Sequence, residues 1–100
     1  MIPPEIKEKL NADDFYKKCA LGLFTCSGSI EFHHVFQYAG SSIQKGWAIV
    51  PACKLHHDMV KTSNEVRESF ERIALSRATD KDLEEFPNKN WNQLKEYLNI

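Results

Sequence analysis

Apolar residues recur at helical spacing toward both ends of the chain, whereas the middle carries short runs of strand formers broken by turn residues. Pro3 and Pro4 precede a charged stretch with Ile6 and Leu10 one turn apart, which predicts a short helix, followed by a second over residues 13–19. Residues 21–29 are rich in small residues and turn formers, and residues 30–37 in strand formers, so a first strand is expected there. Residues 38–42 have loop chemistry; Gly46 then opens the run Trp47-Ala48-Ile49-Val50, a second strand that stops at Pro51. A short helix over residues 54–60 follows. Val66, Phe70, Ile73 and Ala74 line one face of a further helix, with Glu68 placed to pair with Arg72 on its outside. Thr79 caps another, with Asp82 in its first turn and Pro87 ending it. The last helix carries Trp91, Leu94, Tyr97 and Leu98 along one side, and Trp47, Trp91 and Tyr97 are read as core.

The expected fold class is therefore α+β: a two-stranded hairpin plus helix over about residues 19–64, flanked by accessory helices over about 4–18 and 65–99 of one domain. One hundred residues, 42% hydrophobic and 27% charged, is the composition of a single globular domain. A core of this size gains much from a metal that ties distant loops together. No apolar run reaches bilayer length, and residues 1–5 lack the basic-then-apolar order of a signal peptide, so no membrane partner and a cytoplasmic location are expected.

Three cysteines cannot pair off completely as disulfides, and in a reducing compartment thiols serve as metal ligands, catalytic groups or buried fillers. Cys19 and Cys26, the His33-His34 doublet, and Cys53 with the His56-His57 doublet all fall within residues 19–57. That clustering points to two jobs, one structural metal and one catalytic metal. The strand, loop, strand, helix order lets His33, His34 and His57 converge on one ion, provided the first strand ends or bulges at the doublet, because neighbouring strand residues face opposite ways. Histidine titrates near neutrality, as a general base must, and neutral imidazole binds Zn²⁺, Mn²⁺ or Ni²⁺ well.

Net charge is −1, which provides no overall field for a polyanion. Local contact stays open, because Lys45, Lys54, Lys61, Arg67, Arg72 and Arg77 lie in or just after the ligand-rich half, while Asp80, Asp82, Glu84 and Glu85 come later. Arg67 and Arg72 are interleaved with Glu65, Glu68 and Glu71, the pattern of a salt-bridged surface. Lys61, one turn after His57, either reaches a phosphate held at the metal or is a solvated helix lysine. Glu31 and Asp58 are either further ligands or solvated carboxylates. Cys19, in a helical context beside Phe15 and Leu23, is either a ligand or a small buried hydrophobe. The spacing of Cys53 to His56 favours zinc over packing.

Cys19, Cys26, the segment Glu31-Phe32-His33-His34-Val35, and the segment Trp47-Ala48-Ile49-Val50-Pro51-Ala52-Cys53-Lys54-Leu55-His56-His57 together resemble the HNH, or His-Me finger, endonucleases, in particular small phage and bacterial members. Residues 70–79 look like an extension that some phage members carry, so the resemblance spans about residues 16–80. It implies a ββα-metal finger in which His33 and His57 hold a divalent ion such as Mg, Mn, Ni or Zn and His34 is the general base, with Lys61 at the substrate phosphate. It also implies a structural zinc on Cys19, Cys26, Cys53 and His56, although six residues between Cys19 and Cys26 exceed the usual two to four. One departure is clear: the family's middle asparagine falls on Ala48, so either a backbone carbonyl or Gln44 orients His34 instead or catalysis is weaker.

The function implied is a metal-dependent endonuclease hydrolysing DNA phosphodiester bonds on double-stranded or branched DNA, as monomer or homodimer, in a bacterial or phage-infected cell. The alternative is a non-catalytic zinc-binding module that contacts DNA or a protein, which the missing asparagine and the neutral charge favour. A pure metal-handling protein would not need a strand-borne and a helix-borne doublet in this order.

Overall fold

The computed structural model describes residues 2–100. Helix α1, Pro4–Ala12, starts on a proline, whose missing N–H costs nothing in a first turn, and buries only Leu10. The second predicted helix is a single 3-10 turn, Asp14–Lys17, begun by the Asp13 carboxylate accepting from the Phe15 N–H. Cys19 therefore lies beyond it, outside any helix. Strand β1, Ile30–His34, pairs antiparallel with β4, Ile49–Cys53, while β2, Gln37–Tyr38, and β3, Ser41–Ser42, form a separate small hairpin where only a loop was expected.

The second long strand is displaced from its predicted position. Trp47 and Ala48 belong to a short 3-10 turn, Gly46–Ala48, and the strand runs through Pro51 instead of stopping there. The phase of the ladder explains why. Val35 N–H donates to the Ala48 carbonyl and Lys54 N–H to the Ser29 carbonyl, so every second position is bonded across the pair and Pro51 falls between them. Its ring nitrogen faces away from β1, where a proline removes no ladder bond. The Pro51 carbonyl, on that same outer side, accepts from the Ala20 N–H at 2.9 Å.

Three helices follow the ligand-bearing one. Helix α2, Lys54–Met59, leads into α3, Asn64–Arg77, then α4, Asp80–Glu84, and α5, Trp91–Leu98. Thr79 and Asp82 form a reciprocal capping box at the start of α4. The main core joins Phe70, Ala74 and Leu75 of α3 to Leu83, Trp91 and Leu98, and to Trp47, Val50 and Ala52. A smaller cluster of Leu10, Tyr16 and Ile49 lies on the other face of the β1/β4 pair, with Phe32 packed against it. Trp47 and Trp91 are buried as expected, but Tyr97 is 64% exposed. On α5 the stripe runs through residues 91, 94 and 98; at 100° per residue position 97 lies well off it, and the Tyr97 hydroxyl donates to Glu68 instead. The expected Glu68–Arg72 pair is long at 3.9 Å, because Arg72 Nε donates to the Leu98 carbonyl at 2.9 Å. Among the described residues no helix is long and apolar enough to cross a membrane.

Candidate metal centre

Two turns in series fold the segment between Cys19 and Cys26 back on itself. Gly22 N–H donates to the Cys19 carbonyl and Cys26 N–H to the Leu23 carbonyl, so a seven-residue separation closes as tightly as a shorter one. Ser27 and Ser29 carbonyls then accept from Leu55 and Lys54 N–H groups, which presses this loop against the first turn of α2. Gly28 makes the approach possible: it sits at φ +88°, and a Cβ there would come within 2.9 Å of the Lys54 Cβ. Cys53 ends β4 and caps α2, its sulfur accepting from the His56 N–H, so the chain delivers Cys53 and His56 from one helix start.

Cys19, Cys26, Cys53 and His56 bring their ligand atoms within 4.8 Å of one another. His56 Nδ1 lies 3.1 Å from the sulfur of Cys53, 3.5 Å from that of Cys26 and 3.9 Å from that of Cys19. In a tetrahedral zinc site, bonds of about 2.3 Å to sulfur and about 2.0 Å to nitrogen set neighbouring ligands about 3.5–3.8 Å apart. The four donors therefore fit a structural zinc. His56 is 2% exposed, and its other ring nitrogen, Nε2, lies 3.1 Å from the Thr25 hydroxyl, which orients the ring with Nδ1 toward the sulfurs. Burial opposes ionisation of Cys53, but the N–H groups of His56 and Ser27 and the neighbouring thiols outweigh it and lower its pKa. Cys26 moves the other way, raised chiefly by burial against the opposing Leu23 N–H. The helical context expected for Cys19 is absent, and its sulfur joins the cluster.

The remaining histidines are arranged differently. Along β1, Glu31 and His33 share the face of Val50 and Ala52, packed toward α2 and α3. His33 is 8% exposed, with its ring centroid 4.9 Å from that of His57 and 5.2 Å from that of Phe70. His57 Nδ1 lies 2.8 Å from Glu31 Oε1, where its N–H donates to the carboxylate. Burial first, then the charges of His57 and His34, push the His33 pKa down to about 4, so this ring is neutral at ordinary pH.

His34, paired with Ile49, falls on the opposite face at the last residue of the strand, and its Nε2 lies 3.0 Å from Gln44 Oε1. No bulge turns it toward His33. The structure thus brings His33 and His57 together and gives His34 a different neighbour. Among the described residues the Cys3His group alone gathers three or more potential ligands so closely.

Glu31, read as either ligand or solvated carboxylate, is a hydrogen-bond partner of His57, a contact to which sequence spacing gave no guide. Asp58 pairs with Lys54 at the surface. Of the basic residues singled out, Lys45 pairs with Glu85, and Arg77 stacks 3.9 Å above the Phe15 ring. Lys61 is exposed beyond the end of α2, and among the described residues neither it nor Arg67 forms a salt bridge.

No protein-family model, no curated protein and no solved structure matches this chain. Its own side chains carry the chemistry: a closed Cys3His cluster fit for zinc, and beside it two neighbouring imidazoles with a carboxylate bonded to one of them.

Proposed function

We propose that the chain is a metal-dependent endonuclease of the His-Me finger type, braced by a structural zinc on Cys19, Cys26, Cys53 and His56. The observation that carries this reading is the approach of His33 on β1 to His57 on α2, one ring kept neutral by burial and the other oriented by Glu31. These two imidazoles would hold a divalent ion, which when bound would supply positive charge to the phosphate and the departing 3′ oxygen. His34, at the strand end, takes the proton from water, and Lys61 approaches the phosphate backbone from the exposed end of α2.

Purified protein with Mn²⁺ or Mg²⁺ should nick supercoiled plasmid, and His34→Ala should abolish nicking with zinc content unchanged. Full activity in that variant would remove the role given to His34. A second reading, a zinc-braced module that binds DNA or protein without cutting, draws support from two observations: only the Cys3His cluster closes among the described residues, and His34 lies on the far face of the strand from His57. Metal stoichiometry separates the two, since one tight zinc and no second divalent site would favour the module.

A further inference from the structure

Ala48 stands where the resemblance would place an asparagine; its side chain is a buried methyl group with no polar atom, and its carbonyl accepts from Val35 N–H at 2.9 Å. His34 nevertheless has a side-chain partner. Gln44 Oε1 lies 3.0 Å from His34 Nε2; an amide oxygen accepts, and this contact is a hydrogen bond in the neutral ring when Nε2 carries the proton and Nδ1 the lone pair. We infer that Gln44 locks His34 in the Nε2–H tautomer and so acts as its positioning residue, in place of the absent asparagine.

The surroundings of Gln44 suit that task. On one side Ile43 is buried and its N–H donates to the Phe36 carbonyl at 2.9 Å. On the other, the Lys45 carbonyl accepts from Ala48 N–H at the start of the 3-10 turn, and its ammonium pairs with Glu85 at 3.1 Å. A glutamine between two anchored neighbours loses little further backbone freedom when its amide engages a ring. On the nuclease reading, on which the kinetic part of this role rests, Nδ1 is the nitrogen left to take the proton of water. A histidine fixed in the wrong tautomer presents an N–H there and cannot act as base.

Long-range ¹H–¹⁵N spectra of ring-labelled protein at about pH 8, where free imidazole is neutral, read the tautomer directly. The His34 signals are assigned by their loss in His34→Gln. Wild type should show Nε2–H. Gln44→Met, of similar length but without an acceptor oxygen, should give a tautomer mixture and lower kcat for nicking about tenfold or more with KM unchanged. Gln44→Glu, which keeps an acceptor, should restore both. An Nδ1–H ring in wild type, or an unchanged tautomer in Gln44→Met, overturns the lock. If wild type fails to nick with any divalent ion while the tautomer still responds to Gln44→Met, the nuclease reading falls and the lock stands.

Discussion

Two histidines show how far a single hydrogen-bond partner decides what an imidazole can do. His56 has the Thr25 hydroxyl on Nε2, which leaves Nδ1 for the sulfur cluster. Thr25→Val keeps the shape and deletes the partner, so zinc affinity should fall about 10- to 100-fold in a chelator competition, with the circular dichroism spectrum unchanged. His33 has its own consequence. Its pKa of about 4, set by burial and then by His57 and His34, lies below the 6.5 of a free imidazole, so the unfolded chain takes up this proton first. The stability gained by keeping the ring neutral is complete above about pH 6.5 and drains away as pH falls toward about 4. Urea midpoints of the zinc-loaded protein should therefore fall more steeply over this window than those of His33→Gln. Parallel curves would show that the ring is not shifted, because acid release of zinc affects both proteins alike.

The loop over residues 19–28 is the element on which the Cys3His cluster depends, and its tolerance is set by Gly28. An alanine there faces both the left-handed backbone and the Lys54 Cβ, which cannot retreat without moving the start of α2. Gly28→Ala should cost about 1–3 kcal/mol in urea unfolding and weaken zinc in the same protein. Periodicity made α3 legible, along with the Thr79–Asp82 cap and the pairing of a strand near residue 30 with one near residue 50, because one buried face or one side-chain bond determines each. It misplaced β4, since a proline between ladder bonds looks in sequence like any strand-breaking proline. It also put Tyr97 in the core, since an aromatic one residue before the buried Leu98 looks apolar in sequence although its position lies off the buried stripe and its hydroxyl meets Glu68. The wide spacing of Cys19 and Cys26 was the poorest guide of all: two successive turns shorten the path, and no residue count reveals them.

For the molecule as a whole, the cysteine and histidine types announced a metal, but that His33 packs beside His57 while His34 meets Gln44 depends on which face of β1 each residue occupies. That follows from register, which one strand alone does not specify. The Cys3His cluster joins the loop after the first 3-10 turn to the end of β4 and the start of α2, so removing zinc should loosen all three together. A strong chelator should lower Tm by several degrees and broaden the amide NMR spectrum of residues 19–28 and 53–59, and added Zn²⁺ should reverse both. Unchanged melting after metal removal would mean that the thiols are ordinary core residues. The small cluster of Leu10, Tyr16 and Ile49 sets a different boundary. Helix α1 buries one leucine, and the Tyr16 hydroxyl, donating to the Gly46 and Ile49 carbonyls, together with Arg77 over Phe15, fastens the segment behind it. So lightly moored an arm unlatches long before the rest melts. Limited proteolysis should trim the amino end first and leave a zinc-bearing remnant intact.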